Sequence, residues 1–208
     1  MDIMTIGFDL AKTVFQVHGA DGEGRPVLRK KLRRGQVLGF FAGLPSCLVG
    51  MEACAGAHHW AREVQALGHE VRLIPPQYVK PFVKTNKNDA ADAEAICEAL
   101  LRPTMRFAAV KSAEQQSALM LHRARELLVR QRTMLINALR GHYGEFSLIA
   151  AQGARKVESL IGVIEDADDD RLPPLARQAL LSLVAQFRSD GDEDYWTGEE
   201  LADLASLQ

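Results

Sequence analysis

Two short apolar runs in this chain each end on a carboxylate, and that pattern constrains the fold more than any other feature. The first is Ile3-Met4-Thr5-Ile6-Gly7-Phe8-Asp9-Leu10-Ala11-Lys12, and the second is Ser46-Cys47-Leu48-Val49-Gly50-Met51-Glu52. Runs of this length and apolarity read as buried strands. A strand spends its side chains on a core, so an acid at its end must be paired, solvated at the sheet's edge, or bound to a cation. For Asp9 taken alone, a solvated strand end is a sufficient account. Function enters only if other acids arrive at the same place.

The segments around these runs set their order. Residues 13–20 alternate at period two, Asp21-Gly22-Glu23-Gly24 is a turn signal, and Pro26–Arg33 alternates again among charges. Three sequential strands with short turns form an antiparallel meander. Residues 35–44 read as a short helix weakened by interior glycines. Residues 57–67 read as a helix with Trp60, Val64 and Leu67 on one face and Gly68 as its stop. Residues 69–74 form a fifth strand, closed by Pro75-Pro76. The order of three strands, helix, strand, helix, strand implies an α/β fold. Its mixed five-stranded sheet is antiparallel first, then parallel through right-handed crossovers, with flanking helices.

The remainder is helical. Residues 84–88 are polar and loop-like, and a helix starts at Asp89 and runs to about Leu101, before Pro103. The longest periodic segment spans residues 112–142. Leu121, Leu128 and Leu135 fall seven apart, with Ala124, Gln131 and Ala138 between them and Met120, Leu127 and Met134 beside them. That is a broad coiled-coil-like stripe. Arg123, Arg125, Arg130, Arg132 and Arg140 decorate other positions. Two readings stay open: a solvated helix packing on a partner helix, or a basic helix contacting nucleic-acid phosphates. Beyond Phe146 the pattern decays into an acidic run over residues 165–170, an amphipathic helix from Pro173-Pro174 to Phe187, and a capping-box pattern at Thr197-Gly198-Glu199-Glu200. The expected division is 1–110 for the sheet domain, 111–146 for the long basic helix, and 147–208 for a helical, acidic tail, partly disordered or outside the family.

The formal net charge of −2 hides an asymmetry, with basic residues through the first two thirds and acids crowding the end. A near-neutral total leaves room for a local nucleic-acid surface. Cys47, Cys54 and Cys97 are odd in number and lack CxxC spacing, which suggests reduced thiols. No run approaches the roughly 18 apolar residues of a membrane span, and Met1-Asp2 does not open a signal peptide. A soluble, cytoplasmic protein without membrane contact is expected.

Four acids share one pattern. Asp9 and Glu52 end strands, while Asp89 and Asp92 sit three apart at a helix start and so share a helical face. If the first and fourth strands are parallel neighbours, Asp9 and Glu52 lie side by side at the edge where α/β sheets place their sites. The following helix can bring Asp89 and Asp92 over that edge. Like charges so gathered repel unless a divalent cation neutralises them. Oxygen-only ligands suit Mg²⁺ or Mn²⁺. Two such metals about 4 Å apart can serve phosphodiester chemistry. The plainer account of Asp89 and Asp92 is complementation of a helix dipole, worth about 0.3–1 kcal/mol each.

Three blocks carry a family resemblance: Ile6-Gly7-Phe8-Asp9-Leu10-Ala11-Lys12, Gly50-Met51-Glu52-Ala53-Cys54-Ala55-Gly56, and Lys84-Thr85-Asn86-Lys87-Asn88-Asp89-Ala90-Ala91-Asp92-Ala93. The chain resembles the N-terminal half of the DEDD-type insertion-sequence transposases, the group that includes the pilin-gene invertases, from about Ile3 to Phe187. The resemblance implies a RuvC-like, ribonuclease-H-like catalytic domain with its carboxylate set at Asp9, Glu52, Asp89 and Asp92, holding Mg²⁺ or Mn²⁺. It also implies DNA as substrate, an element-encoded guide RNA as partner, and a coiled-coil region matching the long helix. Family members continue into a second domain with a nucleophilic serine and a glycine-rich motif. No serine here matches that motif, and residues 188–208 read unlike the family's continuation. A truncated or frameshifted copy, or a fragment, is expected.

Lys12, Lys84 and Lys87, with Arg123 and Arg130 on the long helix, are candidates for phosphate contacts, although such residues are mostly just exposed. His58 and His59 lie about 100° apart on a helix and cannot easily share a metal. Cys54 reads as a packing residue. The leading reading is the N-terminal part of a Mg²⁺-dependent DNA transposase or recombinase that binds the scissile phosphate, assembling as a homo-oligomer through its long helix. The alternative is a truncated, non-catalytic module for nucleic-acid binding and dimerisation. An ATPase of the actin and sugar-kinase type also starts with a strand ending in aspartate, but the glycine-rich phosphate loops it needs do not follow the fifth strand.

Overall fold

The computed structural model describes residues 3–83, 89–149 and 156–189, with the backbone alone at 89 and 90. The chain divides into two compact units, Met1–Ala113 and Glu114–Gln208. The first holds a five-stranded sheet of β1 (Thr5–Asp9), β2 (Val14–Ala20), β3 (Pro26–Arg33), β4 (Leu48–Glu52) and β5 (Glu70–Ile74), in the order β3-β2-β1-β4-β5. β1, β2 and β3 pair antiparallel, whereas β4 is parallel to both β1 and β5. The expected mixed α/β sheet is therefore observed, with the flanking helices of a ribonuclease-H-like fold. A tight turn, Arg34–Gln36, leads into α1 (Val37–Ala42), which stops at Gly43 and is shorter than its sequence suggests. Then come α2 (Ala57–Ala66), α3 (Pro76–Val79) and α4 (Asp89–Leu100).

Period-two alternation sorts the strand residues onto two faces. Ile6, Phe8, Phe15, Val17, Val49, Met51 and Leu73 build one core with Val37 and Phe41 of α1 and Trp60, Ala61 and Val64 of α2. The opposite face carries Thr5, Gly7 and Asp9 of β1 and Leu48, Gly50 and Glu52 of β4, and it is covered by α4. Ile74, Ala95, Ile96, Ala99 and Leu100 form the apolar part of that layer.

The second unit contains α5 (Ala113–Gly144), α6 (Val157–Glu165) and α7 (Pro174–Ser189). The end of α5, through Ile136, Leu139 and Tyr143, packs with Leu160, Ile161 and Ile164 of α6 and Leu180, Val184 and Phe187 of α7. The Tyr143 hydroxyl donates to the Leu160 carbonyl inside this core. Arg177 donates to the carbonyls of Val163, Ile164 and Asp166 at 2.9, 2.6 and 2.6 Å, closing the C-terminal end of α6, where carbonyls lack helical partners. α6 was not legible in the sequence. Among the described residues, no helix is long and apolar enough to cross a membrane.

Gly7 and Gly50 make the α4 layer possible. A Cβ at Gly7 would lie 2.0 Å from the Ala93 carbonyl oxygen and 2.7 Å from the Cys97 backbone nitrogen. A Cβ at Gly50 would meet the Leu100 Cδ2 at 2.9 Å and the Ile96 Cγ2 at 3.2 Å, which are movable side-chain ends. Gly7→Ala therefore forces helix backbone away from the sheet and is expected to cost about 3 kcal/mol or more, at the upper end for overpacking. Gly50→Ala is expected to cost about 1 kcal/mol, since side chains can yield. Urea denaturation of both variants measures the difference, and equal costs would show that α4 does not dock through Gly7.

Candidate active site at the sheet's switch point

The chain leaves β1 toward β2 and β3 on one side and returns to β4 and β5 on the other, so β1 and β4 flank the topological switch point. Open α/β sheets place their ligand crevice there, beyond the carboxyl ends of the strands. Phe8 is level with Met51 in the parallel pair, so Asp9 and Glu52 stand next in register on strands about 4.8 Å apart. One row crosses the sheet at this level: Lys31, Gln16 and Asp9 are directly opposed, and Glu52 and Ile74 continue the row. Directly opposed residues share a face, so Lys31 lies about 10 Å from Asp9 on the same side.

α4 crosses this face. Its first residue is Asp89, and Asp92 immediately precedes Ala93, whose carbonyl abuts Gly7, two residues before Asp9. Asp92 is half-buried and one turn ahead of buried Ile96, on the stripe that faces the sheet. The side chain of Asp89, and all of Lys84 and Lys87, lie outside the described residues. The structure thus brings Asp9 and Glu52 together and sets the start of the Asp92 helix on their face. Among the described residues, no cluster of three or more His, Cys, Asp or Glu side chains could hold a metal. The pair itself, two hard oxygen donors side by side, fits a divalent cation such as Mg²⁺ better than a thiophilic metal. Arg123 and Arg130 belong to the other unit, where Arg130 is exposed and pairs with Glu126 at 3.0 Å.

The two loops that leave the acids wall a cleft of about 490 Å³, lined by Lys12, Phe15, Arg34, Cys54, Gly56 and Trp60 among others. Of these, Lys12 was a candidate from sequence, whereas Arg34 and Trp60 were not. The only hint was the Arg33-Arg34 pair closing the third strand. Nearby, His58 accepts a 3.1 Å hydrogen bond from the Lys111 backbone N–H, and burial together with Lys111 and Arg62 lowers its pKa. It is a structural histidine. Cys47, Cys54 and Cys97 are free thiols, with Cys47 and Cys97 pushed up to about 11, chiefly by burial.

The sheet order and flanking helices are those of a ribonuclease-H-like α/β fold, and Asp9 and Glu52 stand at its switch point. The IS110-type DEDD transposase family matches residues 6–146, and the chain belongs to it. It is similar to a Pseudomonas aeruginosa protein named "Probable family 20 transposase", 59% identical over 155 residues, 74% of this chain and 46% of that one. The transposase for insertion sequence element IS1328 of Yersinia enterocolitica is 43% identical over 89% of this chain and 55% of its own length. The transposase for IS1111A of Coxiella burnetii is 40% identical over 206 residues, 98% of this chain and 56% of its own. That alignment runs past Phe187, beyond the reach expected from sequence. The chain spans about half the length of the curated relatives it matches.

Cys54 reports on the acid pair. Burial of its sulfur first, then the charges of Glu52 and Asp9, raise its pKa above the usual thiol value. Only the thiolate reacts. At pH 8 Cys54 is therefore expected to alkylate more slowly than a free cysteine, despite its exposure. Neutralising either acid, by Asp9→Asn or Glu52→Gln, lowers the pKa and speeds the reaction. Mass spectrometry of the alkylated peptide measures the rate, and no acceleration in either variant would place the carboxylates farther from Cys54.

Proposed function

We propose that this chain is the carboxylate-bearing part of a DNA transposase. In this reading Asp9, Glu52, Asp89 and Asp92 hold Mg²⁺ or Mn²⁺ and present the scissile DNA phosphate. The observation that carries the reading is the meeting of Asp9 and Glu52 at the ends of adjacent parallel strands, on the face that α4 covers. Membership of the transposase family supports DNA as the substrate class. A divalent cation held there supplies charge stabilisation at the phosphodiester oxygens. The chain's own contribution is orientation: two strand ends fix Asp9 and Glu52 on a rigid sheet, and α4 closes the site from above. Lys12 at the cleft rim, and Lys84 and Lys87 just before α4, contact flanking phosphates. A guide RNA encoded by the element is a further partner, and its support is the family resemblance alone. No serine of this chain is assigned the nucleophile's role.

A second reading has an observation of its own. Met120, Leu127 and Met134 fall seven residues apart on α5 and are 70%, 53% and 64% exposed. Heptad-spaced apolar residues left in water fit a second copy of the same helix, with Arg123 and Arg130 on the flanks toward nucleic acid. This reading makes the chain a dimerising nucleic-acid-binding module, and it is compatible with the metal site. Replacing Met120 and Leu127 together by glutamate is expected to convert a dimer to monomer in sedimentation equilibrium. A wild-type chain that sediments as a monomer at all concentrations would remove the oligomer from this reading.

The metal assignment is tested on the two acids the sheet positions most firmly. With Mg²⁺ at a hundred times its Kd, the wild-type chain should gain about 2.7 kcal/mol of stability. Asp9→Asn and Glu52→Gln should lose that gain. The gain is read as the difference between each variant's melts with and without metal. Calorimetric titration reads the affinity, and wild-type metal affinity in both variants would sink the site.

A further inference from the structure

We propose that Arg34 is a DNA-contacting residue of the switch-point cleft, gripping a backbone phosphate that flanks the one presented to Asp9 and Glu52. This rests on the proposed DNA function and deepens it by assigning the cleft's occupant.

Arg34 sits where the chain turns from β3 into α1. Its backbone is held by the turn that Gln36 closes, with the Arg33 N–H donating to Gln36 Oε1 at 2.8 Å. Its side chain is exposed, and its guanidinium carbon lies 5.2 Å from the centroid of the Trp60 ring and 5.9 Å from that of Phe15. Both rings are buried, 6% and 1% exposed, and meet edge to face at 5.2 Å. The guanidinium therefore rests on a fixed aromatic platform. It has no carboxylate partner among the described residues, whereas Arg25 pairs with Asp21 and Arg72 with Glu70. An arginine stacked on an aromatic ring keeps its N–H edge free for bidentate contact with a phosphate, and has little side-chain entropy left to lose.

The cleft supplies the path. One wall is the loop after Asp9, with Lys12, and the other is the loop after Glu52, with Cys54 and Gly56. A strand whose phosphate reaches the two acids continues between these walls, with Arg34 and Lys12 as its cations. Gly56 adopts φ +85° at the start of α2 and has nothing within 4 Å of a would-be Cβ, so the second wall leaves open space for the strand. Acids on the α4 side and cations on the cleft side divide the work: the first binds metal, the second binds the substrate's own charge.

The test uses the full chain, a labelled DNA duplex of mixed sequence, and the salt dependence of binding by fluorescence anisotropy. Arg34→Gln should lower the slope of log K against log salt by about 1. Arg34→Lys should restore it, and Mg²⁺ affinity should be unchanged in both. A wild-type slope in Arg34→Gln would overturn the inference. So would a loss of binding that Arg34→Lys fails to restore and that follows a fall in melting temperature, because packing on Trp60 rather than charge would then be responsible. A slope change seen with RNA of the same sequence but not with DNA would overturn it as well. Failure of the metal site would appear separately, as wild-type Mg²⁺ affinity in Asp9→Asn with the Arg34 effect intact.

Discussion

The site depends on a contact between two backbones. α4 can lie on the sheet only because Gly7 offers no Cβ where the Ala93 carbonyl and the Cys97 nitrogen pass. The helix is suited to that approach, with the small residue Ala93 buried where its carbonyl passes Gly7. Gly7 and Gly50 are opposite each other in the parallel pair, so one shallow groove crosses β1 and β4. Asp9 and Glu52 lie two residues farther along the same strands, on the same face. A single geometric choice therefore packs the helix and sets the start of α4, with Asp92, on the face that carries Asp9 and Glu52. A bulkier residue at position 7 would lift the helix from that face.

Much of this was legible from residues. Period-two alternation and turn chemistry marked the strands, and the order of strands and helices implied both the antiparallel meander and the parallel return. Asp9 and Glu52 stood out because each ends an apolar run. The limits have physical causes. α6, Val-Glu-Ser-Leu-Ile-Gly-Val-Ile-Glu, is rich in β-branched residues and holds Gly162, so its local propensity favours no helix. It is helical because Leu160, Ile161 and Ile164 are buried against α5 and α7, and because Arg177 occupies its last carbonyls. Tertiary packing decided that element. Arg34 was overlooked for a related reason: an arginine at a strand end looks solvated until its ring platform, made by residues 15 and 60, is assembled in space.

The long helix shows a single sequence pattern serving two environments. The apolar heptad positions look alike from Leu121 to Leu135. Yet Ile136, Leu139 and Tyr143 are buried within the unit, whereas Met120, Leu127 and Met134 remain open to water. Periodicity identifies an apolar face but not what covers it. Only the packing of α6 and α7 shows which of these positions the unit covers.

The charges follow a comparable logic. Gathering carboxylates on one edge raises the free energy of the empty site, and the strain is felt as far as the Cys54 thiol. Surrounding the acids with tightly paired arginines would relieve that strain but would also compete for any cation. Two cations of the sheet and cleft are placed apart from the acids. Lys31 is two strands away in the same row, and Arg34 is drawn aside onto Trp60 and Phe15. In the proposed function, negative charge at the strand ends serves a metal, and positive charge in the adjoining cleft serves a phosphate. A site that has to hold a cation and a polyanion at once requires this separation, because neutralising either pole internally would weaken the binding of its ligand.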